Sequence, residues 1–186
     1  MNLLDLIMND SGNQVVGQLA KRAGVSETEV SNILEQAVPA VSRGMKSKMS
    51  DENGLSSIMD ILKDKQPERY VEKPEELAID NSVIDDGNSI LSQIFGNKDT
   101  SREVASRVAT KAGSSSGVVK MLLPIIASLA MGAFSKKSKA TAAPAAQEPQ
   151  EAQSSGMMGM VRNFIDADDD GSIVDDLFTM AVRRIF

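Results

Sequence analysis

Apolar residues recur at intervals of three and four over most of residues 1–134, which is the period of helices with one buried face. Leu55, Ile58 and Leu62 illustrate the spacing. The pattern, together with glycines and capping residues, predicts helices over Asn2–Asn9, Asn13–Ala23, Ser26–Lys48 with an interruption or kink at Pro39, Leu55–Lys63, Asn88–Phe95, Ser101–Ala112 and Gly117–Phe134. Gly12 is interpreted as a break between the first two, and the charged residues 64–82 as a long loop.

Two stretches of the chain resemble each other. Leu19–Val30 and Val108–Val119 both carry an Ala-Gly step at a predicted helix end, and each precedes an apolar helix with one proline, Pro39 or Pro124. The repeat predicts two related helix-turn-helix-like units, packed as one bundle over residues 1–134. Chance is the alternative explanation, because Ala-Gly-Ser helix boundaries are common.

The pattern changes after the bundle. Residues 135–155 are rich in Ser, Lys, Ala, Pro and Gln without an apolar period, so they are predicted to form a flexible linker. Residues 156–186 become apolar again on both sides of an acidic stretch, which predicts an acidic helix-loop-helix tail. Such a small tail cannot bury all of its apolar residues, among them Met157, Met160 and Met180, so either the bundle or another molecule must cover them. A protein partner or self-association is expected.

Composition supports an all-α fold and narrows the chemistry. Apolar residues make up 41% of the 186 and aromatics only 3%, which suits helix packing better than sheets. The chain has no Cys and no His, which excludes disulfides, thiolate nucleophiles and histidine general bases. We therefore expect a non-enzymatic protein, with no small-molecule substrate inferred. The net charge of −6 also argues against nucleic acid as a partner.

Neither end of the bundle sequence predicts a membrane segment. Met1–Asp10 contains two aspartates and lacks a basic start, unlike a signal peptide. The apolar run Met121–Phe134 is too short to span a bilayer, which favours a buried core helix. Binding to a membrane surface through Lys136, Lys137 and Lys139 is the alternative. A cytoplasmic location is expected.

The acidic stretch of the tail has the spacing of a calcium-binding EF-hand loop. Asp166, Asp168 and Asp170 occupy its first, third and fifth positions, and Gly171 stands where the loop turns sharply. Ser172 would offer its carbonyl oxygen. Leu177 replaces the closing glutamate, so Asp176 would close a loop shortened by one residue. The alternative is an acidic turn that caps the following helix without metal.

The first repeat also resembles a DNA-binding helix-turn-helix, with Gly24 in the turn and Ser26 starting the second helix. Proteins that recognise a DNA sequence need hydrogen-bond donors on that second helix, whereas the carboxylates of Glu27 and Glu29 would face the DNA phosphates. A purely architectural role is favoured over a DNA-binding regulator, which stays open as the alternative.

Several separated motifs occur together in one order: Leu19–Ser26, Asp86–Gly96, the Leu122-Leu-Pro124 helix and the tail Asp166–Asp176. Together they resemble the YidB-like proteins of bacterial domain-of-unknown-function family 937. The resemblance implies a helical, bacterial, cytosolic protein and supplies no catalytic residues. The leading hypothesis is a helical interaction or scaffold module with a tethered docking tail that binds calcium.

Overall fold

The computed structural model describes residues 3–50 and 52–141, and every regular element in this part of the chain is an α-helix. The all-α prediction is therefore confirmed for the described residues. In chain order the helices are α1 (Leu3–Ala23), α2 (Glu27–Met49), α3 (Glu52–Lys65), α4 (Arg69–Glu72), α5 (Glu76–Ile79), α6 (Ser82–Phe95), α7 (Lys98–Ala112) and α8 (Ser116–Thr141).

Helix α8 forms the centre of the bundle. It contacts α1, α2, α4, α6 and α7, and residues 122–135 are all buried. Within the described chain, residues Ser116–Ser138 are long and apolar enough to cross a membrane, with a mean hydropathy of 1.9, yet 78% of the window tested is buried inside the bundle. This burial agrees with the prediction of a core helix, because the bundle itself covers the apolar surface.

Two glycine turns connect helix pairs in the same way. Gly24 ends α1 at φ 67°, and Gly113 ends α7 at φ 66°, a region that glycine enters without steric cost. The next helix is then capped by serine: Ser26 Oγ accepts from Glu29 N at 3.1 Å, and Ser115 Oγ accepts from Val118 N at 3.2 Å.

The predicted break at Gly12 is wrong, because α1 runs without interruption from Leu3 to Ala23. A helical glycine costs only about 1 kcal/mol relative to alanine, which tertiary packing offsets. Gly12 is buried, and a Cβ at this position would lie 3.3 Å from the Cβ of Met8. Helix α2 likewise continues through Pro39.

Residues 64–82 are not one long loop. Helix α3 extends to Lys65, α6 begins at Ser82 rather than Asn88, and α4 and α5 lie between them. Pro67 and Pro74 each start a single turn: Tyr70 N donates to Pro67 O and Leu77 N to Pro74 O, both at 3.1 Å. One-turn helices are too short for apolar periodicity to reveal them, although Tyr70, Val71 and Leu77 are buried.

The predicted linker also begins too early, because residues 135–141 belong to α8. Ser135 is buried, and its hydroxyl donates to Glu68 Oε2 at 3.1 Å, so this turn of the helix is held by the segment before α4. The rest of the predicted linker and the tail 156–186 lie outside the described residues, and the division into bundle, linker and tail stays a prediction.

Candidate functional site

An open groove runs between α2 and α7, with a volume of about 730 Å³. The two helices run in opposite directions along it. The end of α6, just before α7, packs against Gly44 near the end of α2, and Ser114 after α7 donates to Glu29 Oε1 at 2.6 Å near the start of α2. The residues that line it include Glu35, Gln36, Pro39, Ala40 and Arg43 on α2, and Val104, Arg107, Val108 and Lys111 on α7.

The groove has an apolar floor and charged edges. Pro39, Ala40 and Val104 are half-buried, so their side chains are partly covered without being enclosed. Arg43, Arg107 and Lys111 are exposed cations, and Glu35 is the carboxylate among the lining residues. Arg107 pairs with Glu103 one turn earlier on α7. The arrangement suits a ligand that buries an apolar stripe and places charges at both edges.

A polar cluster surrounds Asp86 on α6, a residue that is only 7% exposed. Its Oδ2 accepts from the hydroxyl of Tyr70 at 2.7 Å and from Arg69 Nη2 at 3.0 Å, while Lys65 Nζ lies 3.6 Å from Oδ1. The Arg69 guanidinium also lies 4.6 Å from the centre of the Tyr70 ring. These contacts tie α3 and α4 to the start of α6, so the cluster primarily positions helices.

A second group of bonds anchors α5. Arg22 near the end of α1 donates to the carbonyl oxygens of Leu77 at 2.7 Å and Asp80 at 3.0 Å, and to Asn81 Oδ1 at 2.7 Å. The Ser82 hydroxyl donates to Asp80 Oδ2 at 2.6 Å, and this bond lowers the pKa of the Asp80 carboxyl. The end of α5 is thereby fixed to α1.

Comparison with known protein families identifies one family that matches this sequence. The model of a family described as "Bacterial protein of unknown function (DUF937)" matches residues 5–137, which is most of the chain. The chain belongs to the DUF937 family. No curated protein and no solved structure matches it. The predicted family is therefore confirmed.

In this DUF937 chain the motif Asp86–Gly96 has a clear structural role. Asp86 holds the polar cluster, and Gly87 lets α6 approach α8 closely, because a Cβ there would lie 1.9 Å from Pro124 O. Gly96 ends α6 at φ 77°. The motif is visible in the sequence, but the pairing of Asp86 with Arg69 and Tyr70 is not, since partners so distant along the chain leave no local signal.

Burial in this cluster raises the pKa of Tyr70, and the bond to Asp86 acts in the same direction. The pKa of Tyr70 in the folded chain therefore exceeds its unfolded value of about 10. The stabilisation of the folded chain by the neutral Tyr70 side chain is fully present below about pH 10 and is lost as pH rises through the folded pKa. We expect tyrosinate absorbance to appear at higher pH in the folded chain than in urea. The chain has one Tyr and no Trp, so the signal is unambiguous. Equal midpoints would contradict a buried hydroxyl.

At the first helix-turn-helix candidate, α1 and α2 are joined by the turn at Gly24. Glu27, Thr28 and Asn32 are exposed at the start of α2, while Glu29 accepts the bond from Ser114. Of the two nearby cations, Arg22 is engaged with α5. An architectural role for this turn, with DNA binding as the alternative, stays a prediction.

The calcium candidates Asp166, Asp168, Asp170, Ser172 and Asp176 lie outside the described residues, so the structure does not place them. Within residues 3–50 and 52–141, no group of three or more acidic side chains is arranged to hold a metal ion. The groove between α2 and α7 is a candidate site among the described residues, and its residues were absent from the sequence-based site predictions.

Proposed function

We propose that this DUF937 chain is a non-enzymatic, cytoplasmic interaction module that binds a protein partner in the groove between α2 and α7. The observation that carries the proposal is the groove itself, with an apolar floor of half-buried Pro39, Ala40 and Val104 between charged edges. Covering such an apolar surface with a partner lowers the free energy of the complex, while the charged edges restrict which partner fits.

The scaffold that forms the groove consists, in this proposal, of two related units, α1–α2 and α7–α8. Their matched glycine turns and serine caps support the relationship. The backbone bonds match as well: Val30 N donates to Ser26 O and Val119 N to Ser115 O, both at 3.1 Å. Helix α2 contacts both helices of the second unit and α8 contacts both helices of the first, as expected for two packed copies.

Placing a charge on the groove floor tests the proposed function. Ala40→Glu is expected to abolish capture of the partner, because the carboxylate occupies apolar contact area and is desolvated on binding. The full-length chain and the variant are immobilised and exposed to bacterial lysate. Ala78→Glu, on a half-buried alanine of α5 outside the groove, is the matched control. Capture of the same proteins by all three chains would contradict a role for the groove.

The proposal includes the tail as a second, tethered docking element whose acidic loop binds calcium. The support is the order of Asp166, Asp168, Asp170 and Ser172 around Gly171. A tether converts the second contact of a bound partner into an intramolecular step, which raises its effective concentration. Bound calcium would offset the repulsion among the aspartates and fix the loop.

Calcium binding is expected to be weak, with a Kd of roughly 10⁻⁵ to 10⁻³ M, since Leu177 replaces the closing glutamate. Isothermal titration of the full-length chain should give a heat that is lost in Asp166→Ala/Asp170→Ala. Asp60→Ala/Asp85→Ala removes the same charge from exposed positions of α3 and α6 and should retain the heat. If both variants retain the binding heat, or if the full-length chain gives no heat at millimolar calcium, the acidic loop is a helix cap and not a calcium site.

A further inference from the structure

The groove between α2 and α7 has a counterpart elsewhere in the bundle. Aligning Gly24 with Gly113 pairs the α2 residues of the groove with residues of α8 that are all buried. Glu35 pairs with Pro124, Gln36 with Ile125, Pro39 with Ser128, Ala40 with Leu129, and Arg43 with Gly132. The two helices therefore present the same face, which is open on α2 and covered on α8.

The covering on α8 is a helical segment of the same chain. Gly87 of α6 packs on Pro124, Ser128 Oγ donates to Val83 O at 3.0 Å, and the carbonyl of Pro67 approaches Gly132. Helix α4 contacts both α1 and α8, and α5 contacts α1. Within residues 67–95, α6 lies on α8, α5 lies on α1 and α4 lies on both, so this segment covers the face of α8 that corresponds to the open face of α2.

The other wall of the groove corresponds as well. In the same alignment Lys111 of α7 pairs with Arg22 of α1. Arg22 donates to two carbonyl oxygens at the end of α5, where a short helix finishes. Lys111 is exposed at the equivalent place beside the open groove, so it is positioned to receive the oxygen atoms of a bound segment.

The edges of the groove carry charged side chains that the corresponding covered face of α8 lacks, and this difference restricts which segment can bind. Arg43 stands where Gly132 permits a close backbone approach, so a second copy's segment 67–95 would collide with its side chain. Cations outnumber anions among the lining residues even with Arg107 paired to Glu103. A ligand helix therefore lies farther from α2 than α6 lies from α8. Carboxylates on the two sides of that helix would complement the positive charges of Arg43 and Lys111.

We propose that the groove receives an acidic amphipathic helix from a different protein, placed on α2 and α7 as residues 67–95 are placed on α8 and α1. The inference rests on the proposed function and specifies its partner. The helix buries a stripe of apolar side chains on Ala40 and Val104, and its carboxylates pair with Arg43 at one end and Lys111 at the other.

Two designed helical peptides with the same alanine and leucine stripe, one flanked by glutamate and one by lysine, serve as probes. Fluorescence anisotropy with the full-length chain should show the glutamate peptide binding about fivefold more tightly at low salt, since exposed ion pairs are individually weak. Arg43→Glu/Lys111→Glu should reverse the preference. Arg102→Glu/Lys120→Glu, at exposed positions outside the groove lining, should leave it unchanged.

Equal affinities, no binding of either peptide at millimolar concentration, or a preference that survives Arg43→Glu/Lys111→Glu would overturn the inference. Sedimentation of the full-length chain tests a second copy as the occupant: a dimer that Ala40→Glu dissociates would assign the groove to that copy instead. If Ala40→Glu abolishes partner capture while the peptides fail to discriminate, the groove binds protein but not an acidic helix. If capture is unaffected, the proposed function itself fails.

Discussion

Replacing Gly87 with alanine is expected to lower the free energy of unfolding by at least about 3 kcal/mol. A Cβ at this position would lie 1.9 Å from the carbonyl oxygen of Pro124 and 2.3 Å from its carbonyl carbon. These are backbone atoms of the central helix, which cannot rotate away as a flexible side chain can. Helices α6 and α8 would have to separate and lose packing of buried residues such as Ile90 and Ile125.

Urea denaturation followed by circular dichroism measures the effect. Gly117→Ala is the matched control, because Gly117 lies exposed in the first turn of α8 and its Cβ would meet the Ser115 hydroxyl oxygen at 3.8 Å. The same substitution there should be neutral or stabilising by up to about 1 kcal/mol, since alanine favours helix. Comparable stabilities for the two variants would show that α6 does not approach α8 as closely as the structure indicates.

Much of the bundle can be predicted from local sequence, because capping and periodicity act over a few residues. The turn at Gly24, the cap at Ser26 and the end of α6 at Gly96 all follow from such signals. The predictions of a break at Gly12 and a loop at residues 64–82 are wrong because local signals alone were considered. Glycine and proline signal a break locally, but α1 continues through the buried Gly12, and single helical turns follow Pro67 and Pro74.

The candidate groove could not be predicted in the same way. Its two walls, α2 and α7, are far apart in the sequence, and nothing near Ala40 or Val104 indicates that they meet. The repeat between Leu19–Val30 and Val108–Val119 was visible, however. Extending that alignment past the turns would have exposed the difference between the two faces, since polar Glu35 and Arg43 replace Pro124 and Gly132. The family match supplied no functional residues.

Replacing Asp86 with alanine is expected to cost about 3 kcal/mol of stability. The change removes the carboxylate that accepts from Tyr70 and Arg69. The hydroxyl of the fully buried Tyr70 still accepts from Arg69 Nη2, but its own proton is left with only the Ser82 hydroxyl, at 3.2 Å, as an acceptor. Arg69 and Lys65 are partly exposed and recover water, which limits the loss. Asp85→Ala, on the exposed neighbour in the first turn of α6, should cost less than about 1 kcal/mol.

A double-mutant cycle separates the network from simple loss of charge. Tyr70→Phe removes the hydroxyl while keeping the buried ring, and it alone should cost about 1 kcal/mol. The 2.7 Å bond between the Tyr70 hydroxyl and Asp86 links α4 to α6. If this bond stabilises the bundle, the double variant should lose about 1 kcal/mol less stability than the sum of the two single losses. Strictly additive losses would mean that the two side chains stabilise the bundle independently. A cost for Asp86→Ala no larger than that for Asp85→Ala would show that the cluster does not hold these helices together.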